Sequence, residues 1–300
     1  MARTRYTSDK GLTRRMLGTM GGLGLLYVVV IGVLIAVGLN AIFVLVIAAG
    51  LLWGQWYFSD SMALHSMRAQ VVTPEQAPQL HGLVDRLCVL ADMPKPRVAI
   101  ADTDIPNAFA TGRSPERSVV CVTTGLLRRL DRDELEGVLS HELAHVAHRD
   151  VTVMTVASFA AILAGLLIRT AMWGGIMRDR RDQNSALVFL AVMVVSVLVY
   201  VFSYILTAAL SRYRELAADR GGALLTGNPR GLASALQKIS GDVGQIPTQD
   251  LRQMEAVSSL AFIPALGSGR GFDLAKIFST HPPLEKRLEN LAQVSTELGR

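Results

Sequence analysis

Charged and aromatic side chains are scarce in this 300-residue chain. Charged residues make up 18% of it and aromatic residues 6%, whereas half of it is hydrophobic. An ordinary soluble domain carries roughly 25% charged residues. The apolar residues are also gathered into long runs, so the composition excludes a simple soluble enzyme. It excludes a disordered chain as well, because disorder requires low hydrophobicity and high net charge, and the net charge here is only +5.

Cysteine is almost absent, and so are nucleotide-binding sequences. Cys88 and Cys121 cannot form a disulfide framework and make no CxxC pair, so we expect two buried thiols in a reducing compartment. The chain has no Walker-type GxxxxGK[ST] sequence, which predicts that no nucleotide is bound. The modest basic excess lies beside apolar segments. This position favours contact with a lipid bilayer over nucleic acid.

Four long apolar segments are predicted to cross the membrane as two hairpins. Residues 16–59 contain no Asp, Glu, Lys or Arg. They would form about 66 Å of helix, roughly twice the ~30 Å hydrocarbon core, so we expect two spans joined by a turn near residues 38–40. Residues 151–168 and 183–211 are also uncharged and flank the charged loop 178–182. They predict a second hairpin, with a buried or interfacial helix as the alternative for residues 151–168.

The flanking charges predict the orientation of the chain. Residues 1–15 carry five basic residues against one acidic residue, which by the positive-inside rule places the amino terminus in the cytoplasm. The basic loop 178–182 argues the other way, because four spans would leave it outside. Arg149, Arg212 and Arg214, at the other ends of the same hairpin, favour the cytoplasmic assignment.

The segments outside the hairpins are expected to form one domain. Each hairpin, 1–59 and 151–211, returns the chain to the side from which it came, so segments 60–150 and 212–300 lie together and supply about 180 residues. The predicted elements are a helix at Thr73–Leu90, strands at Arg97–Ala101, Asn107–Thr111 and Ser118–Val122, and a helix capped by Asp131 or Asp133 that ends near His148. Residues 241–273 are the predicted mobile loop.

The sequence HELAH, which begins at His141, carries the strongest chemical signal. On a helix His141 and His145 project from one face, as two zinc ligands require. Glu142 lies beside the metal position, where it can accept a proton from the attacking water. Such a sequence arises by chance in well under about 1% of chains. A solvated helix face with unrelated histidines is therefore strongly disfavoured.

Two residues compete as the third ligand that a catalytic zinc site requires. His148 lies on the same helix as His141, but three ligands on successive turns of one straight helix do not converge on a tetrahedral ion. We therefore expect His148 at the surface or behind the ligands. Glu215 is favoured, because it follows the second hairpin while the histidines precede it. Asp219 lies one turn after Glu215 and can orient a ligand histidine; a solvated helix face is the alternative for this pair.

Four motifs resemble those of the HtpX family of integral-membrane zinc metalloproteases, relatives of the CAAX prenyl endopeptidases. The motifs are PNAFATGR, HELAHVAHRD, SRYRELAADRGGA and STHPPLEKR. The resemblance extends from the amino-terminal hairpin to about Leu291. It implies one zinc ion per chain, bound by His141, His145 and Glu215. It also implies that Glu142 is the general base and that Asp219 is the partner of a ligand histidine.

The resemblance also implies a fold and a location. The predicted fold class is an α+β membrane protein that is mostly helical. Four transmembrane helices in two hairpins accompany a gluzincin-like zinc protease domain with a small β-sheet, divided between segments 60–150 and 212–300. The protein is expected to be a multi-pass cell-membrane protein with a cytoplasmic catalytic domain. It is expected to degrade misfolded or damaged membrane proteins without ATP, in stress response and protein quality control.

Further roles follow from the same resemblance. Residues Asn107–Thr111 resemble the active-site edge strand of the family, which would bind an extended substrate by adding it to the sheet; an ordinary internal strand is the alternative. His281 resembles a family histidine that can donate to the developing oxyanion, and its alternative is to cap a helix beginning at Pro282. Arg287 is expected to pair with a carboxylate that the sequence does not identify. His148 departs from the family, whose members more often have Asn there.

Three other functions compete with protein degradation. A processing protease of the CAAX type would have narrow specificity, but such relatives have more spans than the four predicted here. A non-catalytic zinc-dependent scaffold would have no use for Glu142 beside the metal. A zinc transporter would carry its ligands within the spans, near the bilayer midplane.

Overall fold

The structure is a computed structural model that describes residues 10–36, 41–155, 157, 164–165, 183–243 and 281–299. The described part is mostly helical and contains one small sheet. Its elements are α1 (Lys10–Ala36), α2 (Ala41–Tyr57), α3 (Ser59–Ser66), β1 (Gln70–Val71), α4 (Pro78–Ala91), β2 (Arg97–Ala101), β3 (Ala108–Ser114), β4 (Arg117–Thr123), α5 (Thr124–Arg129), α6 (Arg132–Ala147), α7 (Gln183–Thr226), α8 (Pro229–Val243) and α9 (Leu284–Glu297). Residues 150–155 are also helical.

Helix α7 joins a long apolar part to a polar part. Its residues Met193–Thr226 are long and apolar enough to cross a membrane, and they are the one such candidate among the described residues. Large apolar side chains on it are exposed, including Val194, Leu198 and Phe202, as a lipid-facing surface requires. The described apolar stretches Leu17–Gly32 and Leu45–Tyr57 are shorter.

The described residues thus contain one span candidate, and the arrangement of four spans stays a prediction. The predicted turn at residues 38–40 lies outside the described residues, and so does the loop 178–182. Of residues 151–168, only 151–155, 157 and 164–165 are described. Residues 241–243 belong to α8, and the rest of the predicted mobile loop 241–273 is not among the described residues.

The apolar helices contact one another beside the sheet domain. Leu23 of α1 packs with Leu210 of α7 and with Ala157. The indole Nε1 of Trp56, near the end of α2, donates a hydrogen bond of 3.0 Å to Thr152 Oγ1. The end of α2 is therefore fixed beside the short helix that follows α6.

The sheet has the order β1-β2-β4-β3, which leaves β3 at an edge. Strands β2 and β4 are parallel, whereas β3 and β4 form an antiparallel hairpin. All three predicted strands are present, and β3 extends past the predicted end at Thr111 to Ser114. Gly112 makes the hairpin irregular: its φ is +144°, and a Cβ there would lie 2.3 Å from the carbonyl oxygen of Arg117. In the described sheet β3 is an edge strand, so the alternative of an ordinary internal strand is wrong.

Helix α4 starts later than its periodicity predicts. The sequence suggests a start at Thr73, but the helix begins at Pro78. A residue that precedes proline is disfavoured in the helical region, and Ala77 has φ −139° and ψ 62°. Pro78 takes the first helical position, where its missing N–H has no helical partner to lose.

Helix α6 carries the HELAH sequence through the centre of the domain. Asp131, rather than Asp133, caps it: the Asp131 carboxylate accepts from the Glu134 N–H at 2.9 Å, and the Glu134 carboxylate accepts from the Asp131 N–H at 3.0 Å. This reciprocal capping box fixes the start of the helix. The helix ends at Ala147, one residue before the predicted end, and its apolar side chains, such as Leu139 and Leu143, lie in the main core.

Candidate metal centre

The two histidines of HELAH face each other on one side of α6. Their Nε2 atoms lie 3.1 Å apart. His141 is 1% exposed, so the pair lies inside the protein at the side of α6 that meets α7. The spacing of four residues produces this arrangement, because residues i and i+4 share a helix face.

Helix α7 adds a carboxylate to the pair. Glu215 Oε1 lies 3.3 Å from Nε2 of His145, and Oε2 lies 3.7 Å from Nε2 of His141. One ligand atom from each of the three residues lies within 4.8 Å of the others. Gly222 permits this approach of α7 to α6, because a Cβ there would lie only 3.0 Å from the backbone nitrogen of His141.

The Nδ1 atom of each histidine contacts a carboxylate. Nδ1 of His141 lies 2.9 Å from Asp219 Oδ1, and Nδ1 of His145 lies 2.5 Å from Asp150 Oδ2. A carboxylate accepts a hydrogen bond from Nδ1–H, which leaves Nε2 of a neutral ring with a lone pair. The two Nε2 atoms lie 3.1 Å apart, and two atoms that both present lone pairs cannot hydrogen-bond to each other. A cation between them would be bound by both.

The spacing of the donor atoms fits zinc. Zinc bonds of about 2.0–2.1 Å in tetrahedral geometry place neighbouring ligand atoms about 3.3 Å apart. The three separations here, 3.1, 3.3 and 3.7 Å, bracket that value. Two imidazoles with one carboxylate are also a catalytic donor set that zinc uses. The residues present therefore fit this metal.

Two buried arginines complete the surroundings of the histidines. Arg287 binds Asp219 through two hydrogen bonds, from Nε at 2.8 Å and from Nη2 at 2.6 Å. Arg214 Nη1 donates to the backbone oxygen of Asp150 at 2.9 Å, and its Nη2 forms an ion pair with the Asp150 carboxylate. The sequence left the partner of Arg287 open, and that partner is Asp219. The sequence did not indicate that Asp150 pairs with Arg214, although Asp150 lies in HELAHVAHRD and Arg214 lies in SRYRELAADRGGA.

Glu142 lies beside this cluster and faces the sheet. It is 5% exposed, and its Oε2 accepts a hydrogen bond of 2.9 Å from the backbone N–H of Ala110 in β3. Burial raises the pKa of Glu142 to about 8, against an opposing effect of His145 and with a further increase from Glu215. A cation held by the three ligands would act in the opposite direction, because a nearby positive charge favours the ionised carboxylate.

His281 of the predicted site and His148, the disfavoured ligand candidate, occupy different positions. Nδ1 of His281 lies 3.2 Å from Glu215 Oε2. Its alternative role as a helix cap is wrong, because α9 has Pro283 at the N-cap position and no side-chain capping hydrogen bond. His148 is the C-terminal cap residue of α6. It is not part of the cluster of His141, His145 and Glu215, and burial lowers the pKa of His148 to about 4.

The fold and this centre define a class. A HExxH helix, a carboxylate from a following helix and a small sheet with an edge strand beside the motif are the parts of a metallopeptidase. The apolar part of α7 is long enough to cross a bilayer. Together these features describe a membrane metalloprotease.

Comparison with known proteins identifies the family. The sequence profile described as Peptidase family M48 matches residues 74–295. The protein named Protease HtpX homolog 1 of Streptomyces coelicolor is 55% identical over 296 residues, which cover 99% of this chain and 97% of that protein. Protease HtpX homolog of Moorella thermoacetica is 50% identical over 297 residues, covering 99% and 98%. The chain belongs to peptidase family M48, and the predicted resemblance to HtpX proteases is confirmed.

A solved structure is similar in fold. The crystal structure of Ste24p from S. mikatae superposes with a TM-score of 0.55 at 16% sequence identity. The match covers 89% of this chain and 62% of Ste24p, so the chain spans less than two thirds of the length of that protein.

Proposed function

We propose that this chain is a zinc-dependent, ATP-independent endopeptidase of the cell membrane that degrades misfolded or damaged membrane proteins in quality control. Its catalytic domain faces the cytoplasm, and the chain passes through the membrane several times. One observation carries the proposal: three donor atoms converge beside a buried carboxylate that also touches an edge strand. The membrane location of the substrates is supported by the apolar helix that leads directly to Glu215.

The proposed reaction is hydrolysis of an amide bond. Zinc held by His141, His145 and Glu215 would polarise the scissile carbonyl and make water more acidic. Glu142 accepts the proton of the attacking water and passes it to the leaving amine. The N–H of Ala110 holds Oε2 of Glu142 in place. His281, whose Nδ1 lies 3.2 Å from Glu215 Oε2, is proposed to donate to the developing oxyanion.

Substrates are proposed to bind as extended chains along residues Asn107–Thr111. The outer side of β3 is not paired with another strand among the described residues. An added peptide strand would complete the sheet through main-chain hydrogen bonds, which recognise no particular side chains. This mode suits an enzyme that removes unfolded segments of many sequences.

The test compares purified wild-type protein with Glu142→Gln in detergent, with zinc added. Self-cleavage, casein cleavage and metal content are measured. Both proteins are expected to bind about one zinc, and only the wild type is expected to cut. Glu136→Gln is the matched control, because Glu136 lies on the same helix and is also buried but pairs with Arg86. It should cut like the wild type.

Other outcomes would point to other functions. If both proteins bind zinc and neither cuts an unfolded membrane protein, the alternatives are a processing protease of the CAAX type with narrow specificity and a non-catalytic scaffold. If Glu142→Gln cuts as fast as the wild type, Glu142 is not the base and the mechanism is wrong.

A further inference from the structure

Glu142, the proposed base, contacts β3 at one position, Ala110. Backbone groups alternate in direction along a strand. Asn107 pairs inward with Thr123, so the backbone groups of Ala108 and Ala110 point outward, away from β4. The outward N–H of Ala110 is the one that meets Glu142. A peptide on this edge is therefore cut next to Ala110.

One end of β3 lies beside the end of an apolar helix. The guanidinium of Arg113 lies 3.9 Å from the ring centre of Tyr57, the last residue of the apolar helix α2. Tyr57 stacks on Trp53 and contacts Phe58 edge-on; these two neighbours are 58% and 49% exposed. Exposed Trp and Tyr at the end of an apolar helix mark the interface between lipid and water.

The two ends of the edge strand thus differ in their surroundings. Its Ser114 end adjoins the aromatic cluster of Trp53, Tyr57 and Phe58, and its Ala108 end leads away from that cluster. Ala110 is three residues from Arg113, which corresponds to about 10 Å along an extended strand. Measured along the strand, the reaction takes place about that far from the aromatic cluster.

The direction of the substrate follows from the way it pairs with β3. Antiparallel pairing is the more stable kind, and β3 already pairs in this way with β4. An antiparallel substrate has its amino-terminal part beside the Ser114 end and its carboxyl-terminal part beside Ala108. Its amino-terminal part is therefore the part next to the membrane.

We propose that the enzyme prefers substrates whose membrane anchor precedes the scissile bond, that is, unfolded segments that follow a transmembrane helix. This inference rests on the proposed function and adds the direction in which the substrate chain runs along β3. A segment that precedes its anchor would approach β3 in the wrong direction and would first have to turn back on itself. Closing a loop of about ten residues for that reversal lowers the rate roughly tenfold or more.

The test uses two membrane substrates that share one unfolded tail of about 30 residues. The tail follows a single transmembrane helix in one substrate and precedes it in the other. Each is placed with the full-length enzyme in phospholipid nanodiscs, where both faces are accessible, and the soluble tail peptide is a third substrate. Glu142→Gln gives the background. Rates are followed on gels, and cut sites are found by mass spectrometry.

The tail that follows its helix is expected to be cut at least roughly tenfold faster than the other. Its first cut should lie three or more residues beyond the helix, as the distance of about 10 Å from the aromatic cluster requires. Equal rates, or faster cleavage of the tail that precedes its helix, would contradict the proposed direction of the substrate. The proposed protease function would still stand if the soluble tail peptide is cut. If wild-type protein cuts none of the three, the proposed function fails, and the proposed direction fails with it.

Discussion

Replacement of Asp150 by Asn tests whether this buried carboxylate positions a metal ligand. In the native protein Asp150 accepts the hydrogen bond of His145 Nδ1 at 2.5 Å and pairs with the buried Arg214. Asn has nearly the same shape but no charge. The variant therefore weakens a charge-assisted hydrogen bond and leaves the arginine without its counter-ion, and it adds no steric conflict.

The expected cost is a 10- to 100-fold loss of zinc affinity, which is the usual effect of removing such a partner. It corresponds to about 1.4–2.7 kcal/mol. Zinc affinity is measured by competition with a chelator, independently of proteolysis. Asp219→Asn should cost at least as much, because Asp219 is fully buried and bound twice by Arg287.

Asp85→Asn is the control, because Asp85 forms an exposed ion pair with Lys95. Such pairs contribute little, so zinc affinity should not change. A double variant of Asp150→Asn with Arg214→Gln should lose less than the sum of the two single losses, because the pair acts as a unit. If Asp150→Asn binds zinc within about twofold of the wild type, Asp150 does not position His145.

Two further predictions concern the thiols and the contact between the two helices that carry the ligands. Burial raises the pKa of Cys88 to about 11 and that of Cys121 to about 12, from an ordinary 9.0. Both thiols should resist iodoacetamide at pH 8 until the protein is unfolded by denaturant. Because the folded-state pKa of each thiol is the higher one, its contribution to stability is fully present below pH 9 and is lost as the pH rises towards about 11 for Cys88 and about 12 for Cys121. Rapid labelling of the native protein would contradict this. Gly222→Ala should lower zinc affinity and shift thermal unfolding to lower temperature, because its Cβ would press on the backbone of His141. Gly241→Ala, with nothing within 4 Å of its Cβ, should change neither measurement; equal effects of both variants would refute the explanation.

The sequence predicts the parts of the site that depend on local spacing. His141 and His145 share a helix face because they are four residues apart, and the same spacing relates Glu215 to Asp219. All four lie together in the structure. The strands were predictable because short β-branched runs are bounded by turn residues. The place of β3 at the edge of the sheet came only from the resemblance.

The parts that the sequence did not reveal depend on distant contacts. Asp150 and Arg214 are 64 positions apart, and neither belongs to a pattern that indicates the other. The two residues come together because α7 packs against α6. The late start of α4 had a local cause, since Pro78 disfavours a helical conformation at Ala77, and helical periodicity alone did not show it.

The continuity of α7 has a mechanical consequence. One unbroken helix carries the exposed apolar side chains Val194, Leu198 and Phe202 and, further along, Glu215. Helices tilt to match the thickness of the bilayer that holds them. Ala218 and Ala223 of α7 belong to the same core cluster as Leu139 and Leu143 of α6, so a tilt of α7 would move Glu215 and the two histidines together.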